Sequence, residues 1–117
     1  MAYKNKHKYN AKKTAVDGIT LDSKKEAARY KELKALELVG KIDRLELQPR
    51  YVLQDKYQCA DGEKMRKVEY VADFEYIEKE TGHTIVEDVK GMKTEAYKLK
   101  RKWFKCKYDG IYYHREV

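Results

Sequence analysis

The sequence predicts a mixed α/β domain built on one sheet, with its elements in the order α-β-β-β-α-β. A capped segment with helical spacing begins near residue 23, and a second covers residues 95–107. Between them, residues 42–90 hold stretches in which apolar and polar side chains alternate, as they do in half-buried strands. The chain has 117 residues, a length that fits a single domain of ordinary size.

The first 16 residues are predicted to form a flexible basic arm, and residues 17–117 are predicted to form the folded domain. The arm is polar, and it interleaves Tyr3 and Tyr9 with five lysines: Lys4, Lys6, Lys8, Lys12 and Lys13. Lysines beside aromatic side chains suit the phosphates and bases of a nucleic acid.

The first helix is predicted over residues 23–39. Ser23 followed by Glu26 matches the S-x-x-E spacing of a capping box, in which each side chain binds the other residue's backbone N–H. Gly40 is a residue type that commonly ends helices. The apolar positions at helical spacing are Ala27, Ala28, Tyr30, Leu33, Leu36 and Val39.

Three strands are predicted to follow as a meander, and a fourth ends the chain. Pro49 falls within the first alternating stretch and predicts an edge or a bulge there, because proline cannot donate a hydrogen bond to a neighbouring strand. The second strand is predicted over residues 66–78 and the third from His83 to Lys90. The final short strand is predicted over Ile111–Glu116.

The second helix is predicted over residues 95–107, with Thr94 as its N-cap. One predicted face is apolar and consists of Ala96, Leu99, Trp103 and Cys106. A basic face suited to DNA phosphates is formed by Lys98, Arg101, Lys102 and Lys105, and Lys93 extends it just before the helix.

The charge distribution makes a polyanion the first partner to expect. The net charge is +7, and residues 90–107 carry eight basic residues against one acid. Cys59 and Cys106 fit neither a disulfide framework nor zinc-ligand spacing. Since no apolar run is long enough for a membrane span or a signal peptide, the chain is expected to act in the cytoplasm without membrane contact.

Two aspartates lie where the predicted strands are otherwise apolar. Asp73 falls within the second strand, and Asp88 falls near the end of the third. Since side chains alternate along a strand, Asp88 and Lys90 point to one face and Glu87 points to the other. Two neighbouring carboxylates repel each other unless a cation lies between them. The sequence therefore predicts an Mg²⁺ or Mn²⁺ site formed by Asp73, Asp88 and the backbone carbonyl of Val89, beside the ammonium of Lys90.

Such a site has the groups that phosphodiester hydrolysis needs. The metal lowers the pKa of a bound water and binds a phosphate oxygen, and the ammonium stabilises developing negative charge. Mutual repulsion of the two acids also predicts that Asp88→Asn stabilises the metal-free protein while abolishing cleavage.

These residues resemble the motif of the PD-(D/E)XK nuclease superfamily. That motif is an acid on one strand followed by D/E-x-K on the next, and the matching residues are Asp73 and then Asp88-x-Lys90. A longer pattern is similar to that of small phage-encoded nucleases and covers nearly the whole chain after residue 8; it consists of Ser23-Lys-Lys-Glu-Ala, Leu47-Gln-Pro, Ala72-Asp-Phe and Glu87-Asp-Val-Lys-Gly. The resemblance implies a restriction-endonuclease-like core with the element order predicted above.

The resemblance also implies a third carboxylate from the first helix, for which Glu26 is the candidate. The alternative is that Glu26 only completes the capping box with Ser23. Ala72 stands where the superfamily often has proline before the first acid. Glu87 is the alternative to Asp88 as the second acid, since a shift of one residue in strand register would bring Glu87 into the site.

The function that the resemblance implies is a metal-dependent DNA endonuclease, encoded by a phage and acting in the bacterial host. By analogy with the family, its substrate is branched or junction DNA, and a homodimer would cut the two opposite strands. The alternative is a non-catalytic nucleic-acid-binding protein that retains the nuclease fold and uses only the basic segments.

Overall fold

The computed structural model describes residues 14–16, 19–21, 23–89, 91 and 93–117. Two helices and ten strands are present in this part of the chain. In chain order they are β1 (Thr14–Val16), β2 (Ile19–Leu21), α1 (Lys24–Leu38), β3 (Ile42–Leu47), β4 (Arg50–Gln54), β5 (Tyr57–Gln58), β6 (Lys64–Met65), β7 (Val68–Val71), β8 (Phe74–Glu78), β9 (Thr84–Asp88), α2 (Glu95–Lys107) and β10 (Tyr113–Glu116).

The central sheet has four strands in the order β10-β9-β8-β3. The pairs β3–β8 and β8–β9 are antiparallel, whereas β10 runs parallel to β9. The protein is therefore a mixed α/β domain with a mixed sheet, as predicted. The prediction of a single sheet is wrong, because β1–β2, β4–β7 and β5–β6 form three further two-stranded ribbons. With α1 before β3 and α2 between β9 and β10, the central sheet is assembled in the predicted order.

Some predicted features lie outside the described residues. They are Lys90 of the D-x-K motif and the arm lysines Lys4, Lys6, Lys8, Lys12 and Lys13. The last three residues assigned to the arm form β1, which pairs with β2 in an antiparallel ribbon.

Local sequence signals set the bounds of both helices, which are confirmed to within one residue. The Ser23 side chain accepts a hydrogen bond from the N–H of Glu26 at 3.0 Å and caps α1. Gly40 then ends the segment with a φ of +82°, a left-handed conformation that glycine adopts without strain. Thr94 caps α2 by accepting from the N–H of Tyr97 at 3.1 Å. No helix in the described part of the chain is long and apolar enough to cross a membrane.

The strand predicted over residues 66–78 is two strands, β7 and β8, which pair with different partners. The chain bends between them at Ala72 and Asp73, opposite a second bend at Gln48 and Pro49. Two backbone bonds hold the bends together: the N–H of Gln48 donates to Asp73 at 2.9 Å, and the N–H of Ala72 donates to Pro49 at 3.1 Å. The β4–β7 ribbon therefore leaves the central sheet, and Asp73 lies at a bend rather than inside a buried strand.

Two apolar cores cover the opposite faces of the central sheet. The core under α1 contains Leu21, Ala27, Tyr30, Leu33, Ile42, Phe74, Tyr76 and Ile85. The core under α2 contains Tyr51, Leu53, Tyr70, Ala72, Val86 and Phe104, so the β4–β7 ribbon folds back onto the α2 side. Adjacent residues of β9 belong to different cores, as strand alternation requires.

The predicted apolar face of α2 is wrong except for Trp103, which is half-buried and packs on the α2-side core. Leu99 is 62% exposed and Ala96 and Cys106 are exposed, whereas Phe104 is buried. Tyr97 packs on the same core as Phe104, and the direction these two residues define is turned by roughly 130° from the centre of the predicted face at 100° per residue. The rings of Phe104, Tyr97 and Trp103 all reach this core, and together they bury more aromatic surface than the predicted face, which holds a single aromatic ring.

Candidate active site

Strand β9 directs its two neighbouring acids to opposite faces of the sheet. The side chain of Glu87 meets Arg29 of α1. The side chain of Asp88 meets Tyr70 and His114 on the α2 side. The two candidates for the second acid of the motif therefore have separate partners.

Glu87 is held in a buried ion pair. Its side chain is fully buried, and Arg29 binds both carboxylate oxygens, with Nε at 2.6 Å and Nη2 at 2.9 Å. The hydroxyl of Tyr76 donates a third hydrogen bond at 2.6 Å. The bond to Glu87 raises the pKa of Arg29, and burial together with that carboxylate raises the pKa of Tyr76 to about 12. Glu87 thus links α1 to the central sheet.

Asp73 lies at the bend between β7 and β8, next to the end of β9. Its N–H donates to the carbonyl of Glu87 at 3.1 Å, and its Oδ2 accepts from the N–H of Val89 at 2.7 Å. These bonds hold the half-buried carboxylate beside the peptide that joins Asp88 to Val89. The next residue along the chain is Lys90, the predicted ammonium.

Asp88 lies in a buried polar cluster. The hydroxyl of Tyr70 donates to its Oδ2, and Nε2 of His114 lies 2.9 Å from the same oxygen. The Asp88 carboxylate is 2% exposed and the His114 side chain is fully buried. The Tyr70 ring packs on Phe104 of α2, with centroids 5.0 Å apart, so that the cluster is enclosed by the α2-side core.

A second layer of polar contacts joins this cluster to α2. Arg101 donates from Nε to Nδ1 of His114 at 3.2 Å, and its Nε lies 3.5 Å from the carboxylate of Glu116. Glu116 also accepts from the hydroxyl of Tyr97 at 2.6 Å and from Lys93 at 3.0 Å. The hydrogen bonds from Tyr97 and Lys93 lower the pKa of Glu116 to about 2.

Glu26, the predicted third carboxylate, is buried in the first turn of α1 at 4% exposure. Its backbone N–H supplies the bond to Ser23 expected of a capping box. Within the described residues, no group of three or more His, Cys, Asp or Glu side chains is placed to hold a metal ion. The described part of the predicted site is therefore the pair of Asp73 and Asp88 at the end of β9.

The predicted basic face of α2 is largely engaged with acids of the same chain. Lys98 pairs with Glu95 at 3.2 Å, and Arg101 is one-third exposed and faces His114. Lys93 pairs with Glu116, the last residue of β10, at 3.0 Å. Lys102 and Lys105 are exposed and form no ion pair within the described residues, which leaves them as the available cations of this face.

His114 and Tyr70 contact Asp88 but were not predicted from the sequence. Their positions depend on strand register: β10 pairs with β9 so that Glu116 lies opposite Asp88 and His114 opposite Val86. His114 therefore shares a face with Asp88. The alternation of Tyr112, His114 and Glu116 along the last strand was a local signal of a common face, but the parallel pairing cannot be read from spacing.

Comparisons with known proteins identify a family but no activity. A family model described as "Protein of unknown function (DUF1064)" matches residues 6–116, which is nearly the whole chain. No curated protein and no solved structure matches the sequence.

Proposed function

We propose that this chain, which belongs to the DUF1064 family of proteins of unknown function, is a divalent-metal-dependent DNA endonuclease. The observation that carries the proposal is that Asp73 and Asp88 both adjoin the peptide between Asp88 and Val89. Asp73 accepts from the N–H of Val89, and Asp88 provides the carbonyl side of that same peptide. The motif lysine, Lys90, follows Val89 directly.

We assign the fold to the restriction-endonuclease-like class. Three features support the assignment. The elements of the central sheet follow the order α-β-β-β-α-β along the chain, the two helices cover opposite faces of that sheet, and the last strand, β10, runs parallel to β9. Asp88 ends β9, and Asp73 directly precedes the neighbouring strand β8, close to the arrangement that the resemblance to the PD-(D/E)XK superfamily implies.

The donor set at the end of β9 fits a hard cation. Mg²⁺ commonly takes one or two protein carboxylates and keeps several waters, so Asp73, Asp88 and the carbonyl of Val89 suffice to hold Mg²⁺ or Mn²⁺. When bound, such an ion lowers the pKa of water and neutralises charge on a phosphate. Glu26 stays the candidate for a further ligand from α1.

The chain's own groups orient the reacting parts. The N–H of Val89 fixes the carboxylate of Asp73, and the hydroxyl of Tyr70 fixes that of Asp88. Lys90 supplies a positive charge for the phosphate. In the reaction, a water oxygen bonds to phosphorus, the P–O3′ bond breaks and the 3′ oxygen takes up a proton, which yields a 5′-phosphate and a 3′-hydroxyl.

We propose DNA as the substrate because of the positive charge of the chain, which is +7 overall. Lys102 and Lys105 are exposed on α2, and the arm carries five further lysines: Lys4, Lys6, Lys8, Lys12 and Lys13. On the resemblance to phage nucleases we extend the proposal to branched DNA cut by a homodimer in the cytoplasm of a bacterial host.

The direct test is incubation of the protein with linear, nicked, flapped and four-way DNA, with Mg²⁺, with Mn²⁺ and with a chelator. We expect metal-dependent cleavage, and a preference for one class of DNA would identify the substrate. Asp73→Asn, Asp88→Asn and Lys90→Ala should each abolish cleavage, whereas Glu80→Gln, at an exposed turn, should leave it unchanged. Parental cleavage rates in both Asp88→Asn and Lys90→Ala would refute the proposal.

A non-catalytic nucleic-acid-binding protein is the second candidate function. The observation that favours it is that no group of three metal-ligating side chains lies within the described residues. This candidate predicts DNA binding that depends on salt, with no cleavage of any of the four DNA classes in any metal.

A further inference from the structure

We infer that Tyr70 and His114 are positioning residues for the Asp88 carboxylate, and that Arg101 holds the ring of His114 in the orientation this requires. The catalytic consequence of this arrangement rests on the proposed function, whereas its geometry does not. Arg101 then belongs to the site, although the sequence predicts it on a DNA-binding face.

The cluster begins with two donors on one carboxylate oxygen. Tyr70 donates from its hydroxyl to Oδ2 of Asp88, and Nε2 of His114 lies 2.9 Å from that same oxygen. The Tyr70 hydroxyl also lies 2.7 Å from Nε2 of His114, so the three groups form a closed triangle. Because both donors act on Oδ2, they fix the rotation of the carboxylate about its Cβ–Cγ bond.

Arg101 determines which nitrogen of His114 carries the proton. A guanidinium has only donors, so Nδ1, which lies 3.2 Å from Nε of Arg101, must accept. In the neutral ring the hydrogen is then on Nε2, directed at Asp88. It follows that the Tyr70 hydroxyl donates to Asp88 rather than to Nε2, since that nitrogen has no free lone pair.

Strand register and ring packing both hold this arrangement in place. The parallel register places Glu116 opposite Asp88, so His114, two residues earlier, projects from the same face. The ring of Phe104 packs 5.0 Å from Tyr70 and 6.1 Å from His114, centroid to centroid. Groups that orient a metal ligand commonly change metal affinity by 10–100-fold when they are removed.

The first test uses neither metal nor DNA. The ¹⁵N chemical shifts of the His114 ring, recorded at a pH of about 8 where free histidine is neutral, report its tautomer. We expect the hydrogen on Nε2, and we expect Arg101→Met and Asp88→Asn to move the ring shifts, whereas the neighbouring Lys102→Met should not. A ring with its hydrogen on Nδ1, or one indifferent to both variants, would overturn the inference.

The second test measures metal and DNA binding separately. Tyr70→Phe and His114→Ala should each weaken Mn²⁺ binding roughly 10- to 100-fold, measured by electron paramagnetic resonance without DNA. His114→Gln, which keeps an N–H near the position of Nε2, should recover part of that loss. Recovery by the conservative variant separates positioning of Asp88 from a general loss of packing.

The matched pair Arg101→Met and Lys102→Met decides the role of Arg101. Arg101→Met should weaken Mn²⁺ binding and leave the salt dependence of DNA binding unchanged. Lys102→Met should lower the slope of log affinity against log salt by about 1 and leave Mn²⁺ binding unchanged. If Arg101→Met lowered the salt slope of DNA binding and left Mn²⁺ binding unchanged, Arg101 would be a DNA contact and the inference would be wrong.

Failure of the proposed function gives a different result from failure of the inference. A parent protein with the expected His114 tautomer that binds no Mn²⁺ and cuts no DNA refutes the nuclease and supports the positioning cluster. The opposite result is a parent protein that binds Mn²⁺ and cuts DNA, while Tyr70→Phe, His114→Gln and His114→Ala change neither Mn²⁺ binding nor cleavage. That result refutes the cluster's role and supports the nuclease.

Discussion

Two adjacent acids, Glu87 and Asp88, differ in what each contacts. Glu87 forms two bonds with Arg29 and one with Tyr76 beneath α1. Asp88 receives its donors from Tyr70 and His114 on the other face of the sheet. Adjacent residues of one strand thus have different roles: Glu87 forms an ion pair that holds α1, and Asp88 is the acid proposed to bind metal.

At residue scale, Glu87→Gln should lower the free energy of unfolding by about 3 kcal/mol, because it removes the fully buried charge that pairs with the half-buried guanidinium of Arg29. Urea denaturation measures this loss. The control is Glu32→Gln, which removes the exposed partner of the same arginine, 3.1 Å away, and should cost less than about 0.5 kcal/mol. Loss of Mn²⁺ binding in a folded Glu87→Gln protein would instead place Glu87 in the site.

The contacts of Asp88 favour the opposite outcome to the sequence-based prediction that Asp88→Asn stabilises the metal-free protein. The Asp88 carboxylate accepts hydrogen bonds from two buried donors, and a neutral amide accepts them more weakly. We expect a loss of about 1–2 kcal/mol in the free energy of unfolding, measured by urea denaturation with a chelator present. A more stable Asp88→Asn protein would mean that repulsion from Asp73 outweighs both bonds.

At the scale of elements, the rotation of α2 about its axis decides which of its side chains reach the site. With Phe104 and Tyr97 against the core, Arg101 lies beside His114, and Lys102 points to solvent. The predicted rotation would have placed Leu99 in the core and grouped Arg101 with the exposed lysines.

The pair Phe104→Ala and Leu99→Ala tests that rotation. Phe104 is 1% exposed, and truncating it should cost about 3–5 kcal/mol in the free energy of unfolding. Leu99 is 62% exposed, and its truncation should change stability by less than about 0.5 kcal/mol. Chemical denaturation of both variants gives the comparison, and a larger cost for Leu99→Ala than for Phe104→Ala would show that α2 packs through the other face.

At the scale of the whole molecule, Glu116 at the end of β10 links that strand to α2 through its side-chain contacts. Hydrogen bonds from Tyr97 and Lys93 lower its pKa from 4.5 to about 2 in the folded protein. A depressed carboxyl pKa stabilises the fold above the unfolded value, and that stability disappears as the pH falls through the folded value.

We therefore expect the Glu116 contribution to be complete above a pH of about 5 and to be lost between about 5 and 2. Its size is about 1 kcal/mol, since the side chain is 24% exposed and solvent screens the charge. Unfolding free energies across this pH range, compared between the parent and Glu116→Gln, measure it. Identical pH dependence in the two proteins would contradict the lowered pKa.

Metal addition should stabilise the whole molecule if the proposed site binds it. At a concentration 100 times the Kd, Mn²⁺ should raise the free energy of unfolding by about 2.7 kcal/mol and the Tm by roughly 10 °C. Asp88→Asn should remove this rise. An equal rise in that variant, measured by differential scanning calorimetry, would place the metal elsewhere.

The sequence by itself determined the two helices, the mixed α/β class and the order in which the elements of the central sheet follow one another along the chain. Caps at Ser23 and Thr94, the glycine at residue 40 and the alternation along the strands are local signals, and each acts within a few residues of the backbone it shapes. The strand placement of Asp88 also followed from alternation.

Only the tertiary structure decided what surrounds that acid. The bend at Ala72 and Asp73 depends on a matching bend at Pro49 in the partner strand, and the place of His114 depends on parallel pairing across α2. The rotation of α2 depends on which ring, Phe104 or Trp103, fills the core more completely. These choices are set by contacts between residues far apart in the chain, where burial of large aromatic surface outweighs the weaker preference of a helix for one of its faces.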